Sequence, residues 1–322
     1  MTRDAAHPPE DTPPDSPQRD AGPVLLLRFA GPLQSWGFGS SFNRRGSRPE
    51  PTKSGVVGLL AAARGLERTD PLDDLVRLRL GVRVDTPGIP LRDYHTVSDH
   101  RGLPLPQSGV NAKGRQRPTA PAKYTHVTER HYLQDAVFVV ALAGPEDTLA
   151  AVERELLAPA FPLALGRRSC PPAQPLVLGM QTGGMAHVLR TYPWQPSYAA
   201  RRRHDRFHRS SGGTGTGAGS SSNGTGENGT VGSTARTVTC SVTLEVPGGD
   251  DRLHDVPVSF DPLARAFTSR SVHRCLVDVP ADPPPAAPDA SQPDEAPAEP
   301  PAAAPPDPAA DAHDPFSLLR PE

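Results

Sequence analysis

Residues 24–60 read VLLLRFAGPLQSWGFGSSFNRRGSRPEPTKSGVVGLL, an apolar strand, a loop of glycine and arginine, and an apolar helix in succession. Val24 to Leu27 with Phe29 form a run that suits a buried strand, and Val56, Val57, Leu59 and Leu60 ahead of Ala61 to Ala63 suit a packed helix. The loop between them carries Gln34, Ser35, Trp36, Arg44, Arg45, Arg48 and Lys53 among Gly31, Gly37, Gly39 and Gly46. A loop rich in donors and held between two rigid elements is where a scaffold places a binding site. Guanidinium forks match phosphate, and the N–H groups opening the helix at Ser54 add to an anion preference.

Working outward, Leu78, Leu80, Val82 and Val84 alternate with Arg79, Arg83 and Asp85, which predicts a strand with one buried face. Pro71 to Leu75 reads as a short helical turn ahead of it. Ala136 to Leu142 is a buried strand, and Glu146 to Leu157 is an amphipathic helix with Leu149, Val152, Leu156 and Leu157 on one face. A strand at Leu163 to Leu165 would complete a ferredoxin-like split βαβ plan. The stretch from Thr86 to His131 is too long for a plain connection and is expected to protrude. Beyond it, Leu176 to Leu178, His187 to Tyr192, Thr237 to Val246 and Phe267 to Val277 read as the strands of a β-rich second half.

The fold expected is therefore α+β: a ferredoxin-like, RRM-like core over 23–165 and a β-rich part over 166–277. Residues 1–22 and the Pro/Ala/Asp-rich residues 278–322 hold too little apolar surface to order themselves, and a Gly/Ser insert spans 210–234. The chain has 322 residues and a net charge of −2. Without residues 1–23 and 278–322 the body holds 31 basic and 21 acidic side chains, or +10. A basic body suits a polyanion partner, although a solvated arginine-rich surface gives the same balance. Three distant cysteines, Cys170, Cys240 and Cys275, predict neither a zinc site nor a disulfide framework. No stretch approaches the ~20 apolar residues of a membrane span, and the N-terminus lacks the pattern of a secretory signal, so a cytoplasmic protein is expected.

Individual motifs carry different chemistries. Lys53-Ser54 before an apolar helix suggests a phosphate-binding P-loop, but Ser47 and Thr52 stand where that motif needs glycine. Nucleotide hydrolysis is therefore not expected, and Thr52 or Ser54 reads as a helix cap. Tyr94, His95 and Lys123 supply residue types for metal-free RNA cleavage through the 2′-hydroxyl. The plainer reading is packing at a strand end. His204 and His208 have metal-ligand spacing if helical, but Arg201, Arg202 and Arg203 beside them favour a basic loop, and no metal or other cofactor is expected. Arg167 and Arg168 after Gly166 fit a phosphate clamp, and Arg265, Phe267 and Arg270 add contacts of the kind single-stranded RNA takes. No helix-turn-helix pattern speaks for a DNA-binding regulator.

Taken in order, Leu27-Arg28-Phe29-Ala30-Gly31-Pro32-Leu33-Gln34-Ser35-Trp36-Gly37, Pro51-Thr52-Lys53-Ser54-Gly55-Val56-Val57-Gly58-Leu59-Leu60, Leu91-Arg92-Asp93-Tyr94-His95-Thr96-Val97 and Leu165-Gly166-Arg167-Arg168-Ser169-Cys170-Pro171 resemble the landmarks of the CasD family of type I-E CRISPR Cascade. Arg130 to Ala136 and Arg265 to Arg270 extend the likeness, which covers about 24–277 apart from the insert. The resemblance implies a RAMP protein with a protruding thumb, here 86–131. It implies a subunit that holds the 5′ handle of the crRNA, caps the backbone and adjoins the backbone and large subunits, meeting target DNA only indirectly. On this reading Gln34, Ser35, Trp36, Arg44, Arg45, Arg48, Lys53, Ser54, Tyr94, His95, Arg130, Arg167, Arg168 and Arg270 face RNA. Type I-E members leave cutting to a separate subunit, so no catalytic residue is expected. The alternative is a sister-branch endoribonuclease using Tyr94, His95 and Lys123.

Overall fold

A computed structural model describes residues 22–37, 43–105, 109, 110, 116, 117, 123–211 and 236–282. The expected N-terminal tail, nearly all of the Gly/Ser insert and residues 283–322 lie outside the described residues. Strand β1 (Val24–Ala30) sits inside a seven-stranded sheet. Both of its faces are covered, which is why it reads as a continuous apolar run. Leu25, Leu27 and Phe29 enter one core, and Val24 and Leu26 enter a second core on the opposite face. The short β2 (Leu33–Gln34) and β3 (Arg44–Arg45) follow, then α1 (Lys53–Arg64). Thr52 caps α1 by accepting from the Gly55 N–H at 3.1 Å, and Gly65, at φ 86°, closes it in the left-handed region.

After α2 (Asp73–Arg77), β4 (Arg79–Thr86) returns through the sheet. The next strands, β5 (Ile89–Ser98), β6 (Gly109–Val110), β7 (Gln116–Arg117) and β8 (Thr125–Gln134), lie outside that sheet. Strand β9 (Val137–Ala143) re-enters it, followed by α3 (Glu146–Leu157) and β10 (Val177–Gln181). The rest comprises α4 (Met185–Thr191), α5 (Tyr198–Ser211), β11 (Thr237–Glu245), β12 (Asp251–Ser259) and β13 (Ala266–Pro280).

Strand order is β10-β1-β9-β4-β11-β13-β12, with every neighbouring pair antiparallel. Hence β1 and β4 run parallel, joined through α1, with β9 between them. Likewise β9 and β10 are joined through α3 with β1 between. Helices α1 and α3 cover one face, where their buried residues meet Leu25, Leu27 and Phe29. The second half makes no separate sheet: β11, β13 and β12 extend the β4 edge, and β10 the other.

Four sequence expectations change here. The strand expected at Leu163 to Leu165 is a loop, because the Leu165 carbonyl accepts from Ser35 and its N–H donates to Cys170, leaving no free ladder edge. Its place in the sheet is taken by β10. His187 to Tyr192 belongs to α4 and its C-terminal end, with Met185, Val188 and Leu189 packed on the second core. The face of β4 expected to be solvated is also covered. Arg83 is fully buried; it forks onto Asp85 at 2.7 and 2.8 Å and donates to the Leu189 and Tyr192 carbonyls at 2.6 Å and to Pro193 at 3.0 Å. A buried guanidinium satisfied on all sides fixes the α4 to α5 connection against the sheet. Lastly, β13 reaches Pro280 and Asp282 pairs with Arg201 and Arg236, so the ordered body ends later than residue 277.

The expected protrusion is an arm formed by β5 and β8, antiparallel over ten residue pairs from Ile89↔Gln134 to Ser98↔Thr125. At about 3.3 Å per residue it is roughly 30 Å long. Its root is held from the other edge of β8 by β2, antiparallel at Leu133 and Gln134, and by β3, parallel at Glu129 and Arg130.

Candidate nucleic-acid interface

The polar loop expected to present its side chains outward turns several of them in. Gln34 is fully buried and donates through Nε2 to the carbonyls of Phe29 at 3.1 Å and Ala136 at 2.7 Å. Ser35 donates to the His131 carbonyl at 2.9 Å. Trp36, with no exposed surface, stacks on Phe29 at 5.5 Å between ring centroids and lies against Gly55 at the start of α1. None of the three is available to a base or a phosphate. They pin the loop to the root of the arm.

Lys53 and Arg270 are withdrawn as well. Lys53 Nζ meets Glu245 at 2.6 Å, and Arg270 forks onto Asp255 at 2.8 and 3.0 Å. Asp255 Oδ2 also accepts the Lys53 backbone N–H at 2.9 Å. The anion at the N-terminus of α1 is therefore the protein's own carboxylate, which replaces the expected phosphate there. Burial raises the Asp255 carboxyl, but the Arg270 hydrogen bonds and charge outweigh it and hold the group below the usual carboxylate range. Burial drives the Lys53 ammonium down despite Glu245. Ser54 is half-buried, its hydroxyl 3.3 Å from that of Thr52.

Three of the remaining basic residues, Arg45, Arg130 and Arg167, converge. Strand register places Arg45 opposite Arg130, Leu91 opposite Tyr132, and Asp93 opposite Arg130, so these side chains share one face of the arm root. Arg44 lies on the reverse face with Glu129, and both it and Arg45 are exposed. Arg48 is half-buried and its backbone bridges to Trp36. The loop after α3 then brings in Arg167. Its guanidinium lies 4.9 Å over the Tyr132 ring, and Nη2 donates to the Arg45 carbonyl at 2.7 Å. Arg168 beside it is exposed.

This loop reaches the arm because Gly166, at φ 88°, presses its backbone onto Ser35; a Cβ there would lie 1.9 Å from the Ser35 carbonyl oxygen. Burial pushes the Tyr132 phenol up, yet Ser169, Arg167 and Arg130 around its hydroxyl outweigh that and leave it below its ordinary value. Arg167 Nη1 and Arg130 Nε are buried and have no hydrogen-bond partner. Two buried guanidinium donors without acceptors, beside a phenol and exposed arginines, concentrate unmet hydrogen-bond donors and positive charge at the arm root. Tyr132 and Ser169 were not among the expected site residues.

Tyr94, His95 and Lys123 do not converge. Tyr94 and His95 are successive residues of β5 and point to opposite faces, Tyr94 opposite Glu129 and His95 opposite Thr128. His95 Nδ1 lies 3.9 Å from Asp93 on its own strand. Lys123 lies outside β8, beyond its first residue Thr125 at the far end of the arm, whereas His95 pairs with Thr128 farther in. His204 lies in α5, which is a helix and not the expected loop; its ring packs 5.1 Å from that of Trp194. Among the described residues no helix is long and apolar enough to cross a membrane.

Comparison with known proteins matches residues 24–273 to the family described as CRISPR-associated protein (Cas_Cas5). Over 175 residues the chain is 37% identical to the CRISPR system Cascade subunit CasD of Escherichia coli strain K12, covering 48% of this chain and 70% of the relative. Among solved structures it is similar to a chain of a CRISPR RNA-guided surveillance complex, with TM-score 0.54 and 35% identity over 80% of this chain and 91% of that one. A second likeness is to a chain described as a crystal structure of a Cas protein, with TM-score 0.51 and 30% identity over 81% of this chain and 100% of that one.

Proposed function

The chain belongs to the CRISPR-associated protein (Cas_Cas5) family, and from that premise we propose that it is a non-catalytic crRNA-binding subunit of a Cascade-type antiviral complex. In this reading it is a cytoplasmic protein that grips the 5′ handle of the crRNA and caps one end of the backbone. Its neighbours are the backbone and large subunits, and target DNA is met only indirectly. The core is a ferredoxin-like RAMP module, a reading supported by the split β1-α1-β4 and β9-α3-β10 units. The arm of β5 and β8 is the thumb that reaches a neighbouring subunit.

One observation carries the proposal: the buried, unpartnered guanidinium nitrogens of Arg167, which lies over Tyr132, and of Arg130, continued outward by Arg45 and Arg168. A phosphate oxygen is the kind of acceptor these donors lack. The neighbouring arginines extend the track along an RNA backbone, with no demand on base identity. Cleavage is not part of the reading, since the candidate acid and base groups stand on opposite faces of β5.

Arg167→Ala is expected to weaken the binding of labelled repeat RNA about tenfold and to flatten the logarithmic salt dependence by about 0.7, the contribution of one phosphate on a single strand. Arg44→Ala, at the exposed edge, gives a smaller loss of the same kind. Titration by fluorescence anisotropy at several salt concentrations checks both. Unchanged affinity and slope in Arg167→Ala would sink the proposal.

A further inference from the structure

The basic helix α5 has no part in the Arg167 cluster. Its inner face is fixed: Ser197 Oγ caps it by accepting from Ala200 N–H at 3.2 Å, His204 packs on Trp194, and Arg201 donates to Ala281 and Asp282 at 3.0 and 3.1 Å. Trp194 and Ala200 join Cys240 and Val279, on the face of β11 that also buries Val242 against α4. The helix thus stands on the sheet face opposite α1 and α3, whose core holds Tyr132 and Leu165 of the cluster. Its outer face carries Arg202, Arg203 and Arg206, all exposed and making no ion pair among the described residues. Tyr198 and Phe207 flank them at 77% and 68% exposure, and the Arg202 guanidinium lies 5.6 Å over the Tyr198 ring.

We propose that this outer face of α5 is a second nucleic-acid surface, separate from the Arg167 cluster, that takes a single strand through its phosphates and stacks a base on Tyr198. Three arginines within two helical turns give a fixed row of forks for phosphate. Exposed ring planes beside guanidinium groups suit unpaired bases, which stack without sequence preference. An acidic protein surface would meet the same charge, and competition by a polyanionic polypeptide is therefore one arm of the test.

The test uses the full chain carrying Arg202→Gln, Arg203→Gln and Arg206→Gln together, in wild-type and Arg167→Ala backgrounds. The probe is a labelled single-stranded oligonucleotide of non-repeat sequence. In both backgrounds the triple change lowers affinity at least about tenfold and reduces the salt slope by about 2, as three phosphate contacts on a single strand require. Lysine at the same three positions keeps the slope, which separates charge from folding. In Tyr198→Trp, oligonucleotide addition quenches the new indole. The inference is overturned by an unchanged slope, by binding of duplex alone, or by polyglutamate competing as well per charge as the oligonucleotide. Repeat RNA held through Arg167 is scored in parallel, so failure of this surface and failure of the handle site give different results.

Discussion

Gly166→Ala is expected to cost about 3 kcal/mol of stability, seen as a midpoint of thermal unfolding lower by roughly 10 °C. The physical cause is double. At φ 88° an alanine is strained by its own Cβ, and that Cβ would lie 1.9 Å from the Ser35 carbonyl oxygen. Backbone is on both sides of the clash, so no side chain can turn away to relieve it. The loop must lift, and the Ser35 N–H to Leu165 carbonyl bond at 3.1 Å goes with it. Since Arg167 follows directly, its guanidinium leaves Tyr132, and RNA affinity falls together with stability. Gly179→Ala provides the contrast. It too has positive φ, 97°, but an added Cβ meets nothing within 4 Å, so only the conformational cost of about 1 kcal/mol is expected. Thermal unfolding of the two variants checks the difference. Equal losses would show that the contact with Ser35 relaxes freely.

Asp255→Ala is expected to be as damaging, at about 3–5 kcal/mol, because it strands a buried guanidinium. Arg270 would keep only Glu245, 3.6 Å from its Nη1, and the first N–H of α1 would lose its acceptor. Replacing both partners, as in Asp255→Leu with Arg270→Met, removes the stranded charge and is expected to recover much of the loss. The same carboxylate ties stability to acid. Its folded pKa lies below the unfolded value of about 3.9, so the folded state binds its proton less readily. The stabilisation is fully present above pH ~4 and fades as pH falls through the folded pKa. In Asp255→Leu with Arg270→Met this component of the acid transition disappears. Chemical denaturation between neutral pH and the acid limb checks the sign, and an unaltered pH profile would contradict it.

These two residues also show where the sequence is legible. The strand, loop and helix of 24–60 and the pair β9 and α3 were readable because a run of apolar side chains at one period is a local signal. Helix α4 misread as a strand because a seven-residue segment is too short to display 3.6-residue periodicity. Strand β10 was legible only at its start, in Leu176 to Leu178, before glycine and methionine blur it, and β12 interleaves Arg252, His254 and Pro257 and carries no strand signature. The site misreadings share one cause. Lys53 and Arg270 look like any surface cations until Glu245 and Asp255, far away in the chain or on another strand, fold against them. Tyr132 matters only through the register that sets Leu91 and Arg45 beside it and through the Gly166 turn that delivers Arg167. Composition located the basic body, and pairing decided which cations remain for a ligand.

The arm-root cluster is expected to hold RNA without cutting it. The measurement that tests it most directly incubates the purified chain with labelled repeat RNA in EDTA and scores retention and strand scission on one gel. Retained, intact RNA is expected, unaltered by His95→Ala and bound about tenfold more weakly in Arg167→Ala. Scission within the repeat that disappears in His95→Ala would contradict it, and would make β5 the wall of an active site.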